Sequence, residues 1–302
     1  MKQVAVQLFV FVFLFMGFAQ PASAGERLSV FVSILPQKFF VQQIGGDRVD
    51  VAVLVEPGAS PHTYEPKPRQ MAALTGARLY FAVGVGFEQA WLRRIAAANP
   101  QMAIVHTDHN IRKIPMAAHH HHDDHDDDHS HHHDKHHHDH VGYDPHIWLS
   151  PPLVMQQART ILMALQEADP SHNRLYEENY KRFLDRVYQL DAELRAMFAG
   201  KKGLQFMVFH PAWGYFAEAY NLRQVPVEVM GKEPKPRELQ ALIQHARSAG
   251  IRVVFVQPQF SMRSAETVAR EINGQVVFAD PLAEDWFANL KSVAEKFEAA
   301  LK

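Results

Sequence analysis

The chain has 302 residues, no cysteine, 20 histidines and a formal net charge of −2 at pH 7. Without cysteine, disulfides, thiolate metal sites and cysteine nucleophiles are excluded, so metal chemistry here must use nitrogen and oxygen. The near balance of charges, with no long basic block, argues against nucleic acid as a partner.

In chain order, Lys2 followed by an apolar stretch from Val4 to Phe18 and the small-residue pattern Ala22-Ser23-Ala24 predicts a secretory signal over 1–24, cleaved before Gly25. The apolar run is about fifteen residues, short of the roughly twenty that span a bilayer. A periplasmic protein is therefore expected. From Leu28 to Thr107, β-branched apolar runs (LSVFVSIL, RVDVAVLV, RLYFAV, QMAIVHT) alternate with helical stretches (PQKFFVQQIGG, PRQMAALTG, FEQAWLRRIAAAN). Such alternation predicts an α/β lobe with a mostly parallel sheet, placed at 25–168.

Within that lobe, 119–140 reads HHHHDDHDDDHSHHHDKHHHDH and holds 13 of the 20 histidines. It cannot bury apolar surface to offset its ordering entropy, so a disordered surface loop is expected. Clustered imidazoles and carboxylates should bind divalent metal weakly and in many geometries. After the loop, 152–168 has helical spacing. A longer apolar periodicity from Ser171 to Phe198 predicts a rigid helix linking two lobes, bounded at 169–200. The strand and helix alternation then restarts and runs to the C-terminus, giving a second α/β lobe over 201–302.

Seven histidines lie outside the loop. Three stand out by position, and the last of them, His210, lies at the carboxyl end of a strand, where ligands bind in open α/β sheets. His62 is in the Gly/Pro-rich EPGASPHTYEPKP after a strand, His146 is in YDPHIWLSP ahead of a helix, and His210 follows the strand FMVF. Asp280 follows the strand VVFA in the same way. Two candidates come from each lobe, as a cleft site requires. Three imidazoles and one carboxylate suit four-coordinate zinc, whereas manganese favours more oxygen. A lone histidine beside proline in a loop is more often a turn residue or hydrogen-bonding partner than a ligand, and spacing by itself does not establish convergence. His172, His245, His106 and His109 read as surface positions.

The motifs GASPHTYEPKPRQMAAL, GVGFEQAWL, YDPHIWLSP, FHPAWGYFAEAYNL, GKEPKPREL, VQPQFS and FADPL, in this order, resemble the zinc- and manganese-specific solute-binding proteins of bacterial ABC importers. The resemblance implies two lobes joined by one long helix, with metal in the cleft on His62, His146, His210 and Asp280. It also implies, as partners, the membrane permease and ATPase of an importer, and the expected unit is a monomer. Histidine at the third ligand position resembles zinc members more than manganese members. Two departures stand out: the cysteine pair frequent in zinc members is missing, and Gln257 replaces a usual glutamate. Two other classes remain open, a periplasmic metal buffer acting through the loop and a zinc hydrolase. No HExxH signature supports the hydrolase.

Overall fold

The computed structural model describes residues 27–116, 142–228, 232–260 and 262–301. The expected signal at 1–24 and the histidine/aspartate loop at 119–140 lie outside the described residues. No helix among the described residues is long and apolar enough to cross a membrane.

The N-terminal half alternates β1 (Leu28–Val32), α1 (Leu35–Gly45), β2 (Val49–Val53), α2 (Pro68–Ala73), β3 (Leu79–Ala82), α3 (Gly86–Ala98) and β4 (Ala103–His106). Its sheet is entirely parallel in the order β2-β1-β3-β4. β3 is buried along its whole length, as expected of a parallel strand covered on both faces. Helices α4 (Pro151–Ala168) and α5 (Asn173–Met197) follow. At 25 residues α5 is about 37 Å long.

The C-terminal half contains β5 (Gln205–Val208), α6 (Gly214–Ala219), β6 (Arg223–Pro226), α7 (Pro236–Ser248), β7 (Val253–Val256), α8 (Met262–Glu271), β8 (Gln275–Phe278) and α9 (Trp286–Ala300). The sheet order β6-β5-β7-β8, again all parallel, repeats that of the first half. The strand and helix pattern read from the sequence is thus reproduced in both halves, and the sheets are wholly rather than mostly parallel.

Packing crosses the expected boundaries at α9. Its first turn meets α1, with Trp286 edge-on to Phe40 at 5.4 Å and Phe287 edge-on to Phe39 at 5.7 Å between ring centroids. Its last turns meet the second sheet, where Phe297 stacks on Phe206 at 4.3 Å and stands edge-on to Phe255 at 4.5 Å. One buried apolar cluster therefore runs from the first sheet through α1, α4, α5 and α9 to one face of the second sheet. The other face of that sheet has a smaller cluster of its own under α7 and α8. Aromatic pairs of this kind add about 0.5–1.5 kcal/mol each beyond their burial, so α9 ties the halves together firmly.

Candidate metal centre

Loops at the carboxyl ends of the two sheets meet between the halves. His62 lies in the turn after β2, its backbone N–H directed to Ser60 Oγ at 3.3 Å. The N-terminus of α3 fixes this turn, since Phe87 N–H donates to Pro61 O at 3.1 Å. A Cβ on Gly86 would lie 3.0 Å from His62 O, so a side chain there would crowd the turn that carries His62. His146 precedes a short turn of helix leading into α4, and His210 lies two residues past the end of β5.

The three imidazoles converge. Their ligating nitrogens all lie within 4.8 Å of one another, and ring centroids are separated by 4.7 Å (His62–His210), 5.2 Å (His146–His210) and 5.4 Å (His62–His146). His62 Nε2 and His210 Nε2 are 3.0 Å apart. Two nitrogens on a tetrahedral zinc at 2.0–2.1 Å would be separated by roughly 3.3 Å. The cavity they line is about 10 Å³, room for a single ion or water. The donor set and spacing therefore fit one small divalent cation.

Each of the two buried histidines has a carboxylate behind it. His146 Nδ1 is 2.6 Å from Asp144 Oδ1, and His210 Nδ1 is 2.9 Å from Glu228 Oε2. A proton held at Nδ1 by the carboxylate leaves Nε2 with its lone pair free, so both rings are oriented to present Nε2 to a metal. Asp144 Oδ1 also accepts the His146 backbone N–H at 2.9 Å, closing a local Asx turn. A Cβ on Gly214 would come within 2.7 Å of Asp144 Oδ2, so this glycine makes room for the carboxylate.

Burial dominates the electrostatics. It pushes His62 down to about 3, helped by the neighbouring imidazoles His146 and His210, and holds His146 well below the usual imidazole range. It raises Asp144 to about 7, partly offset by the His146 N–H and the nearby His210 ring. Neutral imidazole is the form that binds metal, so these shifts favour binding-competent rings below the ordinary histidine pKa of about 6.5.

Aromatic rings wall the pocket. Phe260 stacks on His210 at 4.8 Å, and Trp148 lies 5.2 Å from His146. Trp148 Nε1 donates to Pro281 O and Trp286 Nε1 donates to Trp148 O, both at 2.7 Å, joining the loop of His146 to the loop after β8. Gln257 clamps His210 through its backbone, receiving its N–H at 3.3 Å and donating to its carbonyl at 2.7 Å. At that position a neutral amide acts on the main chain, while the acid serving the His210 ring is Glu228.

Asp280, the fourth residue expected at the site, does not join the group. Among the described residues only the three histidines form a metal-sized cluster. Asp280 Oδ1 instead accepts the Leu282 backbone N–H at 2.9 Å and the Gln259 amide at 3.3 Å. Of the histidines read as surface, His106 and His109 are exposed and His172 is half-buried. His245 is also partly buried, bonding Gln205 Oε1 through Nε2 at 2.7 Å.

Asp144, Glu228, Trp148 and Phe260 were not singled out from the sequence. Asp144 had a signal, an Asp two residues before a candidate ligand. Glu228 had none, because 18 residues separate it from His210 and only the β5–β6 pairing brings them together.

The profile of a family described as zinc-uptake complex component A, periplasmic (ZnuA), matches residues 30–300. The high-affinity zinc uptake system protein ZnuA of Bacillus subtilis is 30% identical over 256 residues, covering 84% of this chain and 78% of that protein. Two crystal structures, ZnuA and a ZnuA deletion mutant with zinc bound, each superpose with a TM-score of 0.82 at 42% identity. Each match covers 92% of this chain, with 100% and 99% of the respective structures. Family, fold and the three-histidine cleft agree: the chain belongs to the ZnuA family of periplasmic zinc-uptake components, the solute-binding proteins of ABC importers.

Proposed function

We propose that His62, His146 and His210 bind one zinc ion through Nε2 and that the chain carries it across the periplasm to the permease and ATPase of an ABC importer. It does so as a monomer and without catalysis, after loss of residues 1–24. The units that close on the ion are 25–168 and 201–302, with 169–200 as the connecting helix. The observation that carries this reading is the convergence of three imidazoles from segments 84 and 64 residues apart. Two of them have Nδ1 paired to a buried carboxylate, a pattern that serves metal ligation. An all-nitrogen set favours zinc over manganese, which prefers oxygen.

Calorimetric zinc titration of two variants tests the proposal. Deleting 119–140 should leave one tight site and remove several weak ones, while His210→Ala in the full chain should weaken the tight site by about a hundredfold or more. Loss of tight binding on deletion of the loop, with His210→Ala unaffected, would transfer the function to the loop and make the chain a metal buffer. Ester or amide turnover that disappears in His210→Ala would establish a hydrolase instead.

A further inference from the structure

Beside the histidine cavity lies a larger one of about 280 Å³, lined by Glu56, Asp280 and Glu284 among others. Two of these acids are already committed: Glu56 pairs with Lys67 and Arg69, and Glu284 pairs with Lys38 at 2.6 Å. Asp280 has no cationic partner among the described ion pairs. It lines the larger cavity but not the histidine cavity, whereas Gln259 and Leu282 line both. Gln259 therefore forms part of the wall between a carboxylate and three imidazoles.

The hydrogen bonds of this wall are one-sided. Gln259 Nε2 donates to Asp280 Oδ1 at 3.3 Å, and Leu282 N–H donates to the same oxygen at 2.9 Å. The Asp280 main chain is fixed separately, its carbonyl accepting Asn289 Nδ2 at 2.7 Å. Gln259 Oε1, by contrast, is buried and finds no donor among the described residues. A buried acceptor without a partner is unfavourable and is retained where something else satisfies it.

We propose, resting on the three-imidazole reading above, that Gln259 is a positioning residue for metal selectivity: its amide holds the Asp280 carboxylate off the cation. Held there, Asp280 leaves the protein ligands all nitrogen, and the fourth position goes to water, which can donate to Gln259 Oε1. Three imidazoles and one water make a four-coordinate set suited to zinc. A carboxylate swinging in would add one or two oxygens and shift preference toward manganese. Leu282 N–H and the fixed main chain would still tether Asp280, so removing the amide frees the side chain without releasing the loop.

The test uses the full chain as wild type, Gln259→Met, Asp280→Asn and the double variant. Zinc and manganese affinities are measured by competition titration, and the visible spectrum of the cobalt(II)-loaded protein reports the ligand set. Gln259→Met should raise manganese affinity relative to zinc by about tenfold and alter the cobalt bands, the scale typical of groups that orient metal ligands. Both changes should vanish in the double variant, and Asp280→Asn alone should leave zinc affinity within about threefold. An unchanged ratio and spectrum in Gln259→Met, or a manganese gain that survives in the double variant, overturns the role of Gln259. If Gln259→Met does not fold, Asp280→Asn decides: unchanged zinc affinity supports the held-off carboxylate, and a tenfold or greater loss places it on the metal and overturns the proposal. Each of these failures leaves the three-imidazole reading standing. Zinc binding that persists at wild-type strength in His210→Ala removes that reading instead.

Discussion

The two sheets share one strand order yet use its reversal point differently. In each, the first and third strands of the half lie side by side, which opens a crevice at their carboxyl ends. In the second sheet that crevice holds His210 after β5, clamped by Gln257 after β7. In the first sheet it is closed by Glu88, which accepts from Ser33 Oγ and from the backbone N–H groups of Val83 and Gly84 at 3.0 and 2.7 Å. Ser33 also meets Tyr80 at 2.6 Å, and burial raises the Glu88 pKa, partly offset by Ser33 and those two N–H groups. The first half instead brings its candidate ligands from flanking loops, His62 after β2 and His146 before α4. The same topology can thus offer a binding crevice or seal one, depending on which side chain follows the strand. One half places a candidate ligand at its crevice, and the other fills that place with a buried hydrogen-bonded carboxyl group.

Glu88→Ala tests this division most severely. It leaves the buried Val83 N–H, the partly buried Gly84 N–H and the Ser33 hydroxyl without their acceptor, so urea unfolding should show a loss of roughly 2–5 kcal/mol. Zinc affinity of the folded fraction should stay within about threefold. A large loss of affinity at unchanged stability would mean that the first crevice also belongs to the metal site. Glu228→Gln is the counterpart in the second half. Weakening the acceptor behind His210 Nδ1 should lower zinc affinity by about 10–100-fold in calorimetry, with a small effect on unfolding. A variant that binds zinc normally would remove Glu228 from the ligand-orienting role.

Asp169, at the α4–α5 junction, sharpens the contrast with Glu88 by the smallest margin. Burial raises its pKa, but hydrogen bonds from Ser171, Tyr176 and His172 outweigh this and bring it to about 2. With an unfolded value near 3.8, the folded value is depressed, so the stabilisation is fully present above about pH 4 and is lost as pH falls through about 2. Asp169→Asn should therefore cost about 1–2 kcal/mol at neutral pH, discounted for its partial exposure. The gap from wild type should close in acid unfolding between pH 4 and 2. A gap constant down to pH 2 would assign the effect to packing rather than charge.

Much of this was legible from residue order. Strand positions such as Leu79–Ala82 and Val253–Val256 announce themselves because a strand buried on both faces must be apolar throughout. The long helix α5 is visible because its apolar face recurs every three to four residues, and Gly/Pro-rich turns mark the loops that carry His62 and His146. The candidate histidines were legible by position, His210 just past a strand and His62 and His146 beside prolines in those loops.

What residue order could not contain is distance between segments far apart in the chain. That α9 would bridge both sheets follows from where its two ends pack, since an amphipathic pattern says that a face is buried but not against what. Glu228 reaches His210, and Asp280 is turned toward Gln259 and Leu282, through contacts set by strand pairing and loop approach. The sequence by itself determined which elements form and which nitrogens could bind a cation, because local propensity and periodicity reside in neighbouring residues. Only the tertiary structure decided that three imidazoles meet and that the Asp280 carboxylate receives Gln259 and Leu282, because angstrom-scale positions emerge when separate segments pack against one another.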